Sequence, residues 1–117
     1  MALFPCVTGK KGRYMVIAYF ANSSQYSCIA YFKNGEWQNI TGTSANNPSF
    51  TLDGITCACS TSGQDVTYNI TGATGKVYGE GTNGEPTLLT TITDATTGGS
   101  ATVNIYSKVD AIIFEID

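Results

Sequence analysis

From Arg13 to Ile116 the chain is cut into short stretches of alternating apolar and polar residues, each soon closed by Gly, Asn, Asp or Pro. An amphipathic helix needs an apolar stripe at a period of about 3.6 residues over some ten residues or more, whereas a half-buried strand needs period two over roughly four to eight. Only the second pattern recurs here. The side-chain supply agrees: 33 of 117 residues are Val, Ile or Thr and 13 are aromatic, against 4 Leu. Stiff β-branched and aromatic side chains suit a pleated, half-buried surface. The chain is therefore expected to be all-β.

The turn chemistry sets the connections. Asn34-Gly35 and Asp53-Gly54 are dipeptides that accept positive φ at both central positions of a tight hairpin. The tetrapeptide Ile-Ala-Tyr-Phe stands at 17–20 and again at 29–32, marking two aromatic-ended strands that pair across a five-residue polar loop at 21–25. A third strand is predicted over 37–41, with 42–48 as loop. Further strands are expected at 49–52, 55–59, 66–71, 76–79, 87–93, 101–107 and 109–116, with 60–64 a polar connection. Pro5, Pro48 and Pro86 fall between these segments, where a missing amide donor breaks no ladder. Nine or ten short strands result, spaced as in an antiparallel β-sandwich of jelly-roll or immunoglobulin type. Residues 1–117 form one domain, with 1–12 an irregular N-terminal segment, and a chain of this length buries roughly two-thirds of its unfolded surface. The stretch 37–43 resembles 67–73, but two copies of a strand ended by Thr-Gly do not make a solenoid.

Charge removes several partners. Six Lys and Arg stand against nine Asp and Glu, and the one local basic cluster is Lys10, Lys11 and Arg13. No cationic stripe is present to neutralise successive phosphates, so nucleic acid is not expected as a ligand. The apolar run 15–21 has seven residues, against about 20 for a bilayer span. The first residues lack a basic region followed by an apolar one, so no export signal is expected and the chain reads as one assembled in a cytoplasm. In that reducing setting Cys6, Cys28, Cys57 and Cys59 are expected as thiols acting as small core hydrophobes. Cys57 and Cys59, two apart in a strand, share a face. A zinc site would require all four thiols to converge, because the chain has no histidine; no metal or other cofactor is expected.

The missing histidine also removes the usual base for Ser or Cys nucleophiles and the usual proton carrier near neutral pH. Asp53, Asp65, Glu80, Glu85, Asp94 and Asp110 sit mostly at predicted turns, where Asp caps backbone amides or faces water. Gly79, Gly81 and Gly84 precede no helix, so they are no phosphate loop. The loop 94–98 carries one carboxylate, too few for calcium. Asn22, Asn39 and Asn69 stand in sequons that read as ordinary turn and strand residues. No catalytic residue is assigned, and the chain is expected not to be an enzyme. Aromatic rings are the remaining binding candidates: Trp37, Tyr19, Tyr26 and Tyr31, all in the first meander, where a ring beside amide donors suits a sugar or a protein surface. The segment 111–114 is apolar on both faces, which places it mid-sheet or at a subunit contact through Ile112 and Phe114. Rings on both faces of the first strand likewise call for cover from a second sheet and from a neighbouring copy of the chain.

The opening Met1-Ala2-Leu3-Phe4-Pro5-Cys6 and the closing Val109-Asp110-Ala111-Ile112-Ile113-Phe114-Glu115-Ile116 resemble the ends of small β-rich proteins encoded near tail-fibre genes in phages and prophages of Gram-positive bacteria. The resemblance covers about a fifth of the chain and transfers no binding residue. It implies a virion structural protein located in the particle, first in the tail or receptor-binding appendage and second in capsid or neck decoration. Its partners would be other virion proteins, copies of itself and a host cell-surface glycan, with no membrane insertion. A free carbohydrate-binding module is the reading from another class.

Overall fold

The computed structural model describes residues 12–20, 25–38, 41–44, 48–81, 86–104 and 109–117. These residues contain no helix and eleven strands: β1 (Arg13–Phe20), β2 (Gln25–Lys33), β3 (Glu36–Gln38), β4 (Thr41–Ser44), β5 (Ser49–Leu52), β6 (Ile55–Ser62), β7 (Asp65–Thr71), β8 (Gly75–Gly81), β9 (Pro86–Ile92), β10 (Gly99–Asn104) and β11 (Val109–Ile116). They form two antiparallel sheets packed face to face. The seven-stranded sheet runs β3-β2-β1-β11-β8-β9, with β4 also on β2, and the four-stranded sheet runs β10-β7-β6-β5. The expected all-β sandwich is the observed architecture.

Local chemistry explains the hairpins. Asn34 and Gly35 have φ of 55° and 81°, and Asp53 and Gly54 have 54° and 78°, the paired positive values that a two-residue hairpin turn needs. Alternation then sorts the faces. On β6, Ile55, Cys57 and Cys59 point inward, and on β7 Val66, Tyr68 and Ile70 do the same. Across from them stand Met15, Ile17, Tyr31, Val77, Ile112, Phe114 and Ile116 of the larger sheet, closing one core between the layers. Burial of this apolar area is the main stabilising contribution. Cys57 and Cys59 lie in that core as thiols, on the shared face their spacing dictates.

The larger sheet is buried on its second face as well. Val16, Ala18, Ala111 and Ile113 form a separate cluster there, with Ala30 and Tyr78 packed against it. Tyr14 joins them at 0% exposure. The described side chains of Tyr14 to Ala18 on β1 and of Ala111 to Phe114 on β11 are thus buried on both faces within one chain. Ile112 and Phe114, expected at a subunit contact, are sealed between the two sheets at 0% exposure. The alternative reading of the same apolar segment, a strand in the middle of a sheet, describes β11, which lies between β1 and β8.

Several boundaries differ from those read in the sequence. The expected strand over 37–41 is two strands, β3 and β4, which pair with opposite ends of β2. Residues 42–44, expected in a loop, therefore belong to the sheet. The polar segment 60–64 is mostly ladder: Ser60 faces Thr67, Thr61 faces Val66 and Ser62 faces Asp65, and hydroxyl side chains are at home on the solvent side of such pairs. β8 is longer than 76–79 because its glycines admit neighbouring backbone: a Cβ on Gly75 would lie 2.0 Å from the Glu115 carbonyl oxygen. The two Ile-Ala-Tyr-Phe copies lie in paired strands but do not face each other, since Ile17 meets Cys28 and Tyr19 meets Tyr26.

Candidate functional site

The β2–β3 hairpin gathers the exposed aromatic surface. Register places Trp37 opposite Phe32, Phe32 opposite Tyr14, Tyr14 opposite Glu115 and Glu115 opposite Lys76, so one row crosses five strands on the second face of the larger sheet. The rings along it touch in sequence. Centroids are 6.0 Å apart for Tyr14 and Phe32 and 4.9 Å for Phe32 and Trp37, at tilted angles of 48° and 58°. Both separations are in the favourable range for aromatic pairs. Exposure grades outward, from Tyr14 at 0% to Trp37 at 45%. The tryptophan is thus held by its neighbours and still presents ring surface to solvent.

At the hairpin tip is a cavity of about 440 Å³, lined among the described residues by Gly12, Arg13, Asn34 and Gly35, none of them a member of the row. Behind it lies a charged cluster centred on Asp53, in the β5–β6 turn of the other sheet. Asp53 Oδ2 accepts the Tyr31 hydroxyl at 2.5 Å and the Lys33 ammonium at 2.9 Å, and Arg13 Nη1 stands 3.6 Å away. Arg13 Nη2 also donates to the Asp117 backbone carbonyl oxygen at 3.4 Å. The hydroxyl of Tyr31 and the ammonium of Lys33 hold the Asp53 carboxyl below its ordinary range. Burial, reinforced by the bond to Asp53, raises the Tyr31 phenol. The cluster ties β1 and β2 of one sheet to the β5–β6 turn of the other.

The four aromatic candidates separate on this frame. Trp37 presents surface. Tyr31 is a core residue, 1% exposed, whose ring fills the space between the sheets while its hydroxyl ties Asp53. Tyr19 and Tyr26 face each other in the β1–β2 ladder, and their side chains lie outside the described residues. Among the turn carboxylates, Asp94 accepts the backbone amides of Thr96 and Thr97 at 2.9 and 3.1 Å, and Asp65 accepts from the Asn104 amide at 3.3 Å. Asp94 acts as expected of a turn Asp, whereas Asp65 begins β7 and is bound by a side chain across the β7–β10 ladder. No group of three or more Cys, Asp or Glu converges among the described residues.

Sequence reasoning missed two features. Asp53 was legible only as a turn former, because its partners are 20 and 22 positions away in the chain. Glu115 is 7% exposed, and its Oε2 has no hydrogen-bond partner among the described residues. Its charge, after burial itself, contributes to raising the Tyr78 phenol. The signal for Glu115 was present: it continues the Ala111–Ile113 face of a segment that reads as apolar on both sides.

Comparison with protein families, with curated proteins and with solved structures finds no match. Among the described residues no helix is long and apolar enough to cross a membrane.

Proposed function

We propose that this chain is a non-enzymatic phage virion protein, a component of the tail or receptor-binding appendage that acts by subunit assembly and adhesion. The observation that carries the adhesive part is Trp37, 45% exposed and in tilted contact with Phe32 at a centroid separation of 4.9 Å. A rigid, amphipathic ring loses little conformational freedom on binding, which is why Trp and Tyr dominate recognition surfaces. The virion placement rests on the resemblance of residues 1–6 and 109–116 to tail-associated proteins. Many copies in one particle would multiply weak contacts into avidity.

Mass spectrometry of purified particles tests the placement: the chain is expected among the virion proteins, and its absence removes the reading. Particles carrying Trp37→Ala are expected to keep their protein composition and lose adsorption to host cells. Unchanged adsorption would instead favour a decoration protein of capsid or neck. A monomeric chain found outside particles, with a melting temperature raised by a glycan, would favour the free carbohydrate-binding module.

A further inference from the structure

Among the described residues five strands lie at sheet edges, and four of them are blunted against further pairing. β3, β4 and β5 have three, four and four residues, and β3 carries Glu36. β9 is longer, but it begins with Pro86, and its register on β8 shifts between Val77 and Tyr78, which leaves Leu89 as an extra residue. Short length, charge, proline and a bulge are the devices that keep sheet edges from joining other chains. β10 has none of them. Its six residues, Gly99–Asn104, include no proline and no charge, and their register against β7 runs unshifted from Gly99 opposite Ile70 to Asn104 opposite Asp65. Among the described residues β7 is its one strand neighbour in the sheet, so the N–H and C=O groups of every second residue point away from the ladder.

The side chains along this edge suit a copy of the same strand. Ser100 and Thr102 are exposed on the outer face, while Ala101 is buried and Val103 packs against the core. Opposed residues of an antiparallel pair point to the same face, so a twofold axis must pass through a residue rather than between two. An axis at Thr102 sets Thr102 against its own copy, Ser100 against Asn104 and Ala101 against Val103. Hydroxyls and an amide then meet on the outer face, and apolar groups on the inner one. The Thr102 hydroxyl already shares a 2.8 Å hydrogen bond with that of Thr67. Having one donor and two acceptor sites, it can bond its copy as well, which extends the row of Ser60, Thr67 and Thr102 across the axis. Asp65, which accepts the Asn104 amide at 3.3 Å, would stand three strand spacings of about 4.8 Å from its copy. That exceeds the screening length of roughly 8 Å at physiological salt, so the contact brings no like charges of β7 or β10 together.

Resting on the subunit-assembly part of the reading above, we infer that β10 pairs with β10 of a second copy about a twofold axis at Thr102, joining two four-stranded sheets into one of eight strands. Sedimentation equilibrium of the full chain tests this, with the parent expected to dimerise. Thr102→Lys and Thr102→Glu each set like charges directly opposite one another and are expected to weaken dimerisation about five-fold or more. An equimolar mixture of the two sets Lys against Glu and is expected to recover the parental level, which also shows that both variants are folded. Ser60→Lys adds the same charge at an exposed position of the same row, two strands inside the edge, and is expected to dimerise as the parent does. A parent that stays monomeric up to about 1 mM, Thr102 variants that dimerise unchanged, a mixture without recovery, or an equal loss from Ser60→Lys each overturns the pairing. A monomeric parent that associates only with a different particle protein gives the edge another occupant and overturns it too. If the pure chain is monomeric while mass spectrometry still finds it in particles, the β10 contact falls and the virion reading stands. A β10 dimer absent from particles leaves the contact and removes the virion reading.

Discussion

Phe114 gives a direct test of whether the apolar segment of β11 is core or contact surface. Its ring is 0% exposed and packs between the sheets. Truncation to alanine removes most of that buried area and leaves a cavity that the rigid layers only partly close, at a cost of about 3–5 kcal/mol. For 117 residues at roughly 2.1 cal/mol/K per residue, the entropy of unfolding is about 0.25 kcal/mol/K. The melting temperature of Phe114→Ala should therefore fall by about 12–20 °C. Calorimetry at low and high protein concentration is the assay, because a core defect lowers the midpoint equally at both, whereas a subunit contact makes the midpoint depend on concentration. A fall of less than about 4 °C, or one confined to dilute protein and accompanied by dissociation, would refute the placement of this ring.

Glu115→Leu should raise the melting temperature, by about 4–12 °C, since it removes a buried carboxylate oxygen without a partner, worth about 1–3 kcal/mol; a fall on differential scanning would show that the charge is compensated. Gly72→Ala should cost more than about 1 kcal/mol, because φ is +100° and the new Cβ would lie 2.1 Å from the Gly54 carbonyl oxygen. Gly12→Ala, facing open space, should change urea stability by less than about 0.5 kcal/mol. Asp53 titrates below its ordinary value in the folded chain, so its contribution is present above the unfolded pKa and lost as pH falls through the folded one. Melting followed against pH should show Asp53→Asn less stable than the parent at neutral pH, with the difference closing below about pH 4. Tyr31 has a raised pKa, so its contribution is complete below pH 10.0 and lost as pH rises through the folded value; Tyr31→Phe should remove that alkaline loss.

The architecture was legible because its signals are local. Asn34-Gly35 and Asp53-Gly54 specify their turns through their own backbone preferences, and the alternation of Val66, Tyr68 and Ile70 needs no distant partner to be read. What escaped depends on which strands meet. Thr41 to Ser44 carry little intrinsic signal, and they are a strand because β2 extends past β3 and leaves part of its edge unpaired. Tyr31 resembles any other ring of the meander until Asp53 is brought against it from the opposite sheet. Trp37 could be proposed as a surface ring from composition, but its support by Phe32 arises only from register.

The position of β11 bears on how the chain comes to be folded. Residues 109–116 fill the gap between β1 and β8, so the first strand of the sheet finds one of its two neighbours about a hundred positions downstream. Pairings of such long sequence separation form slowly, since much chain must be ordered before they are gained. In synthesis from the N-terminus, β1 with β2 and β8 with β9 can pair before residues 109–116 are made, and one flank of each pair then waits for β11. That interval is when illegitimate pairing between nascent chains is most favourable. Shortening the product ahead of Val109 would make the interval permanent.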